Sequence, residues 1–332
     1  MRNTLINLSL LLGSILVCFG LLELGLRITG LVQVGPHPPL IYQQSSDPAI
    51  SYELIPSLDR KAYRSTVTTN ALGLRSSEID ASRPKIAVIG DSITFGYGVE
   101  NDETIAARLE AQLPTVQFLN AGVPGYHLGQ ETALYRERIQ ALHPISVILV
   151  FHPNDMNIDT GWLDSDGVLR SSKEDRSTRV TNICHPIEEG ILGWIPGRCF
   201  LDTHSAIYVA LKKLVMLKTM QQALHADEQA SLEHPEVDRI TDAQITTYKK
   251  QLQAFNALLP QQMKKIFVIW PERELHSVSR PKIKALAAAQ GFTVIDLYDT
   301  FGNTARTLSW DTVHPHPETI QKAAEIIANV FK

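Results

Sequence analysis

Short apolar strands alternate with segments of helical spacing over most of this chain. In chain order, we predict strands at 85–89, 116–119, 145–151, 265–270 and 292–297, and helices at 104–113, 128–142, 242–259, 281–290 and 319–330. Strands that alternate with helices pair in parallel through helical crossovers, and the helices then cover both faces of the sheet. We therefore expect an α/β fold, a three-layer αβα sandwich around a mostly parallel five-stranded sheet.

The alternation is interrupted between Met156 and Glu236. This stretch contains two of the three cysteines, many polar residues and one convincing helix at 206–225. We interpret it as an insertion at about 156–236 within one domain that spans residues 84–332. The Leu and Met residues of its helix favour a place in the core of the insertion over a lipid-binding lid.

The segment from Thr4 to Leu22 is almost entirely apolar. About 20 apolar residues span a bilayer as a helix, so we predict that residues 1–27 form a membrane anchor. A cleaved signal peptide is the alternative, but no clean small-residue cleavage site follows the run. Cys18 offers a second alternative, processing as a lipoprotein, although Val17 before it is larger than the small residue that such processing expects at that position.

Two features bear on the compartment. Arg2 and the amino terminus slightly favour a cytoplasmic N-terminus, which would put the rest of the chain outside the cytoplasm, in the periplasm of a Gram-negative cell.

Cys184 and Cys199 can pair across a loop of intermediate length. Such a bridge would contribute on the order of 3 kcal/mol and persists only in an oxidising compartment. Two unpaired buried thiols are the alternative.

Residues 28–83 connect the anchor to the alternating region. They are rich in Pro, Ser and polar residues and have no sustained helical period. We predict a linker that becomes a partly ordered collar, with an edge strand at Tyr63–Thr69. The net charge of -4 and the absence of a basic stripe give no indication of a nucleic-acid partner.

Polar residues follow three of the predicted strands, and a fourth polar group precedes the last helix. The four blocks are Gly90-Asp91-Ser92, Asn120 to Gly125, His152-Pro153-Asn154-Asp155, and Asp311 to His314. In open parallel sheets, active sites gather beyond the carboxyl ends of the strands. We therefore expect these blocks to lie at one end of the sheet.

The four blocks contain the groups that acyl transfer requires, namely a nucleophile, a base, a carboxylate to orient the base, and donors for the oxyanion. Ser92, at a strand-to-helix turn, can present its hydroxyl and its N–H to one point. Asp311 and His314 can meet on one face of a turn. Gly125 leaves its N–H unobstructed, and Asn154 carries an amide that can donate.

These blocks resemble those of the SGNH (GDSL) hydrolase superfamily, whose name lists their Ser, Gly, Asn and His. The resemblance covers about residues 84–155 and 291–332, and it implies a flavodoxin-like αβα fold. It also implies roles for the matching residues. Ser92 would be the nucleophile, Asp311 and His314 would complete the triad, and Gly125, Asn154 and the Ser92 N–H would form the oxyanion hole.

The sequence departs from that family at two positions. Ile93 stands where the family often has Leu, which preserves the apolar bulk. His152 stands where the family often has Gly, two residues before the Asn. A larger side chain there can narrow the pocket or add a hydrogen bond, so the resemblance leaves the size of the substrate open.

Each candidate also has a purely structural interpretation. Ser92 can be a helix N-cap, Gly122 can replace Gly125 as the oxyanion donor, and Asn154 can cap a turn. The presence of all four blocks in order favours the catalytic interpretation. Two interpretations of His152 are equally favoured. Its side chain can line the pocket, or its ring can pack in the core with its hydrogen bonds satisfied.

The remaining polar residues of the blocks have weaker cases. Asp91 and Asp155 are expected to accept hydrogen bonds from nearby backbone N–H groups, and Asp91 is also a possible pocket residue. His314 and His316 together supply too few ligands for a metal site. We predict neither a metal nor a cofactor.

Taken together, the sequence predicts a membrane-anchored, extracytoplasmic serine esterase. The expected substrate is a small molecule, lipid or polysaccharide that carries an ester, with O-acetyl or short acyl groups on an envelope carbohydrate preferred. The alternatives are an O-acyltransferase that passes the acyl group to a sugar hydroxyl, a lipase, lysophospholipase or thioesterase, and a non-catalytic binding module. Protein partners are unknown.

Overall fold

The computed structural model describes residues 2–29, 32, 40–165, 167–172, 195–235 and 237–331. The chain divides into two compact units, one formed by residues 1–38 and 176–221 and the other by residues 39–175 and 222–332. Cys184 lies outside the described residues, and so does the side chain of Cys199. The predicted disulfide therefore stays a prediction.

The helices and strands of the chain are labelled here in chain order. The strands are β1 (Tyr42–Gln44), β2 (Tyr52–Leu54), β3 (Asp59–Ala62), β4 (Ser65–Thr68), β5 (Lys85–Gly90), β6 (Gln117–Gly122), β7 (Ser146–Phe151), β8 (Trp162–Leu163), β9 (Leu169–Arg170), β10 (Lys264–Ile269) and β11 (Thr293–Asp296). The helices are α1 (Arg2–Ile28), α2 (Ser92–Phe95), α3 (Ile105–Gln112), α4 (Leu128–Leu134), α5 (Arg198–His204), α6 (Ala206–Glu233), α7 (Asp242–Ala257), α8 (Ser279–Ala289), α9 (Tyr298–Phe301) and α10 (Pro317–Ala328).

A five-stranded sheet forms the centre of the larger unit. Its strand order is β11-β10-β7-β5-β6, and every neighbouring pair is parallel. The predicted five-stranded α/β sheet is therefore confirmed. β5 and β7 are inner strands, and the fully buried patterns of β6 and β7 fit strands that are covered on both faces.

Two apolar clusters cover the two faces of the sheet, as period-two alternation requires. Along β5, Ile86 and Val88 belong to one cluster, which also takes in α3 and α10. Ala87 and Ile89 belong to the other, which takes in α4, α7 and α8. The three-layer αβα arrangement is thus also confirmed.

The segment predicted as a linker and collar contributes to this core from Ile41 onward. Ile41, Tyr52, Leu54 and Val67 are nearly inaccessible and belong to the same cluster as Ala87 and Ile89. The larger unit therefore begins well before the predicted boundary at residue 84. The expected edge strand corresponds to β4, which pairs with β3 in a separate antiparallel hairpin.

The smaller unit contains α1 and the first part of α6. Over Asn3–Ile28, α1 is long and apolar enough to cross a membrane, with a mean hydropathy of 2.4 and no buried residue, features that a signal sequence shares. The Glu23 carboxylate accepts the N–H groups of Ala206 and Ile207 at 2.7 and 3.0 Å, so it caps the start of α6. The predicted insertion helix at 206–225 is present and extends to Glu233.

Candidate active site

Ser92 lies at the turn between β5 and α2, at the carboxyl end of the sheet. Asp91 is the N-cap of α2, and its Oδ1 accepts the Ile93 N–H at 2.9 Å. Ser92 is therefore the first residue of the helix, and the N-cap interpretation applies to its neighbour Asp91. A Cβ on Gly122, at the end of β6, would lie 2.1 Å from the Phe95 nitrogen, so α2 can pack here only against a glycine.

A continuous series of hydrogen bonds joins Ser92, His314 and Asp311. Ser92 Oγ lies 2.9 Å from His314 Nε2, and His314 Nδ1 lies 2.8 Å from Asp311 Oδ2. A carboxylate can only accept, so Nδ1 carries the proton and Nε2 is left to accept the serine hydroxyl. The structure thus brings together three side chains from two distant blocks in the order that nucleophilic catalysis requires.

Asp311 is held in the ionised form. Burial opposes ionisation, but hydrogen bonds from the His314 ring and from the N–H groups of His314 and Val313 outweigh it and lower the pKa of the Asp311 carboxyl. A fixed negative charge at this point orients the imidazole and stabilises its protonated form. His316, the neighbouring histidine, instead accepts the Glu318 N–H and caps α10.

An aromatic side chain fixes the plane of the His314 ring. Tyr97 stacks on His314 with ring centroids 4.0 Å apart and planes 18° apart. The adjacent Gly98 has φ +78°, and a Cβ there would lie 2.5 Å from Leu308 and 2.7 Å from Trp310. Gly98 therefore allows the segment that leads into Asp311 to pack closely against the loop that follows the serine helix.

A buried arginine from the collar holds this loop in place. The guanidinium of Arg75 donates to the carbonyl oxygens of Phe95, Gly96 and Val99 at 3.1, 2.6 and 2.8 Å. It also donates to the Thr66 carbonyl at 3.0 Å. Burial lowers the pKa of Arg75 to about 10, so the group remains charged at neutral pH.

The predicted oxyanion donors occupy different positions around Ser92. Gly125 is exposed with φ +79°, and no described residue accepts its N–H or that of Ser92. The Asn154 amide donates to Asp91 Oδ2 at 2.7 Å, which leaves its second N–H available. Gly122, the alternative to Gly125, is instead a buried strand residue in contact with α2.

His152 connects Asn154 to a second group of polar side chains. Its Nδ1 lies 2.6 Å from Asn154 Oδ1, and its Nε2 lies 3.6 Å from a carboxylate oxygen of Glu272. Glu272 follows β10 and hydrogen-bonds His276, which also lies 3.1 Å from Asp238. His152 is buried and its ring is hydrogen-bonded, as the packed interpretation expects, and it also lines a cavity, as the pocket interpretation expects.

Three ligand-type side chains approach one another in this second group. One oxygen or nitrogen of each of Asp238, Glu274 and His276 lies within 4.8 Å of the others. Asp238 accepts the Ser279 N–H and Glu274 pairs with Arg239, so each group already has a protein partner. The cluster joins residue 238 to the loop after β10, and its hydrogen bonds account for its geometry without an ion.

Two fully buried carboxyls, those of Glu131 and Asp155, lie near enough to Asp91 to feel its charge. Glu131 of α4 has no hydrogen-bond partner for either oxygen among the described residues, and Asp155 uses only one oxygen, which accepts the His152 N–H at 2.9 Å. Burial, reinforced by the charge of Asp91, raises the pKa of both carboxyls well above their usual range. Burial thus favours the neutral, protonated form of both carboxyls.

Thr312 and Val313, the two residues between Asp311 and His314, line a cavity of about 330 Å³, and so does His152. Residues of the loop after β10 and of α6 also line it. Charged, amide and hydroxyl side chains share the wall with apolar ones, and apolar atoms make up most of its exposed surface. Such a wall can contact both the polar and the apolar parts of a small molecule.

Neither a family model nor a curated protein matches this chain. Several solved structures are similar to it. A lipase/acylhydrolase from Enterococcus faecalis shares 15% identity and a TM-score of 0.42, with 75% of this chain and 95% of that one covered. A member of the lipolytic protein G-D-S-L family from Veillonella parvula shares 16% identity and a TM-score of 0.39, covering 74% and 97%. An acetyl xylan esterase shares 13% identity and a TM-score of 0.40, covering 75% and 100%. Similarity at this level does not identify a reaction.

Proposed function

We propose that this protein is a serine esterase that works through an acyl-Ser92 intermediate. The observation that carries the proposal is the series of hydrogen bonds from Ser92 Oγ through the His314 ring to Asp311, at 2.9 and 2.8 Å. A serine hydroxyl is a weak nucleophile unless a base takes its proton during attack. His314 is in contact with that hydroxyl and has its other nitrogen fixed by a carboxylate.

The reaction proceeds in two half-reactions. Ser92 Oγ attacks the ester carbonyl carbon while its proton passes to His314 Nε2. The resulting tetrahedral intermediate collapses when the C–O bond to the leaving alcohol breaks, and His314 returns the proton to that alcohol. Water then attacks the acyl carbon and loses a proton to His314. The bond from that carbon to Ser92 Oγ breaks, and His314 returns the proton to Oγ, which restores Ser92 and releases the carboxylic acid. No cofactor is required by these steps.

The N–H groups of Ser92 and Gly125 and the amide of Asn154 are the donors that we assign to the oxyanion. Each such donor contributes roughly 3 kcal/mol to transition-state stabilisation in serine hydrolases. Asn154 is kept in one orientation because its oxygen contacts His152 and its nitrogen donates to Asp91. This arrangement supports a preformed oxyanion hole, since neither contact uses the second amide hydrogen.

The preferred substrate is an O-acetyl or other short acyl ester of a carbohydrate. The polar side chains in the neighbouring cavity, His152, Glu272, Arg273 and Asn303, support a carbohydrate substrate, because they can hydrogen-bond the hydroxyl groups of a sugar. A carbohydrate of the cell envelope would be accessible to an enzyme anchored in the membrane. Hydrolysis and transfer to a sugar hydroxyl use the same acyl-serine.

A comparison of ester substrates tests this proposal. If the acyl group is short, as we propose, the full-length protein in detergent should cleave acetyl and propionyl esters at least tenfold faster, in kcat/KM, than octanoyl or longer esters of the same alcohol. Product analysis in the presence of a free sugar should give mainly acetate. A preference for long chains would indicate a lipase or thioesterase, and acetylated sugar as the main product would indicate a transferase.

We further propose that α1 anchors the protein with its catalytic unit outside the cytoplasm. The support is the length and hydropathy of Asn3–Ile28. The protein should remain in the membrane fraction after an alkaline carbonate wash, and a protease added to spheroplasts should digest residues 39–332. Release by carbonate would argue against the anchor, and protection from the protease would argue for a cytoplasmic catalytic unit.

A further inference from the structure

The cavity lined by Thr312 and Val313 contains an arginine, Arg273, whose charge is not balanced by any carboxylate that the structure describes. Arg273 follows β10 and is half-buried in the cavity wall. Its Nη1 donates to the Asn303 carbonyl at 3.2 Å. Among the residues that the structure describes, no carboxylate lies within ion-pairing distance of it, and its Nε and Nη2 donate to none of them.

The acidic side chains of the same wall are already engaged. Glu272 hydrogen-bonds His276 and faces His152, and its pKa is lowered because these contacts outweigh its burial. Glu274 pairs with Arg239 at 3.3 Å. The side chain of Arg239 is 71% exposed, so this second arginine of the wall is both neutralised and largely in solvent.

Arg273 is also held in one place. Asn303, which is only 4% exposed, donates from its amide to the Arg273 carbonyl at 2.9 Å and accepts from the guanidinium through its own carbonyl. This reciprocal pair fixes both the backbone and one end of the side chain. A guanidinium with two adjacent donors unused matches the two oxygens of a carboxylate or phosphate.

We propose that Arg273 recognises a carboxylate or phosphate on the ester substrate, and that it does so from the cavity lined by Thr312 and Val313, which lie between Asp311 and His314. The inference rests on the proposed esterase function and adds the charge of the substrate to it. The anionic group would occupy the cavity while the ester carbonyl lies at Ser92. Arg273 would thus determine specificity without taking part in the chemical steps.

Matched substrates test this assignment. O-acetyl glucuronate and O-acetyl glucuronamide have nearly the same shape and differ in charge, and O-acetyl glucose 6-phosphate carries a phosphate instead. For the wild-type protein we expect kcat/KM to be about 10- to 100-fold higher for an anionic ester than for the neutral amide. The anionic ester with the higher kcat/KM, the carboxylate or the phosphate, shows which of the two groups Arg273 recognises.

Arg273→Gln should reduce that ratio to near one, mainly through KM for the anionic ester. Arg273→Lys, which keeps the charge but loses the planar fork, should retain part of the ratio. Arg136→Gln is the matched control, because it removes one positive charge from a half-exposed arginine paired with Asp47 and outside the cavity. It should leave the ratio at the wild-type value.

Calorimetry with free glucuronate and with inorganic phosphate gives a readout that does not depend on turnover. Wild-type protein should bind one of them, and Arg273→Gln should weaken that binding at least tenfold. An unchanged ratio in both Arg273 variants together with unchanged anion binding would overturn the inference. If no ester is cleaved in a Ser92-dependent way, the esterase proposal fails, and the calorimetric result still decides the role of Arg273.

Discussion

Ser92→Ala is expected to lower kcat/KM for an acetyl ester by about 10⁴- to 10⁶-fold. The substitution removes the hydroxyl that contacts His314 Nε2, so His314 is left without that nucleophile to activate. The residual rate should come from the oxyanion donors and substrate binding alone. Initial-rate assays on purified full-length protein measure the change, with the thermal unfolding midpoint confirming that the variant is folded.

Ser82→Ala is the matched control for this prediction. Ser82 is exposed, and its hydroxyl donates only to the nearby Asp80. It should retain the wild-type kcat/KM within about twofold, because surface substitutions of this kind have small effects. Equal turnover by Ser92→Ala and the wild-type protein would remove Ser92 as the nucleophile, and with it the acyl-serine mechanism.

Arg75→Met is expected to lower the free energy of unfolding by about 3 to 5 kcal/mol. Methionine fills most of the same volume but donates no hydrogen bond, so the carbonyls of Gly96 and Val99 would lose a charged donor in a buried site. The stacking of the Arg75 guanidinium on the Phe95 ring, 4.6 Å from its centroid, would be lost as well. Urea denaturation followed by tryptophan fluorescence measures the change.

Arg60→Met provides the comparison for Arg75. Both arginines belong to the segment between the membrane helix and β5, but Arg60 is exposed and donates to a single carbonyl, that of Leu40. Its replacement should cost less than about 1 kcal/mol. A similar decrease in the free energy of unfolding for both variants would show that the buried hydrogen bonds of Arg75 do not stabilise the protein more than the exposed one of Arg60 does.

The main sheet could be predicted from the sequence because each of its strands is a short apolar run separated from the next by a helical period. The core contribution of residues 40–83 could not. Its strands have only three or four residues, and their burial depends on contacts far along the chain, such as that of the Tyr52 hydroxyl with the Pro124 carbonyl. No local period indicates a partner 72 residues away.

The same distinction applies to the site. The place of Ser92 could be predicted because polar residues that follow parallel strands converge at one end of the sheet. Asp311 and His314 precede the last helix instead, and their spacing of three residues predicted that they meet each other. Glu272 follows β10 as Ser92 follows β5, so the rule for strand ends could also have found it. The roles of Tyr97 and Arg75 could not be predicted. Tyr97 stacks against the His314 ring, 217 residues later in the chain. Arg75 donates to backbone carbonyls, and any residue type supplies a backbone carbonyl, so the sequence does not indicate such a contact.

The separation of 222 residues between Ser92 and His314 has a consequence for biosynthesis. A growing chain presents Ser92 long before the ribosome has added its base, and His314 lies only a few residues before α10, the last helix of the sandwich. Until that helix docks, the serine is an ordinary alcohol. Under the proposed mechanism, competence to attack esters is thus acquired only after His314 has been added and α10 has docked, and a chain that stops before His314 carries no working nucleophile.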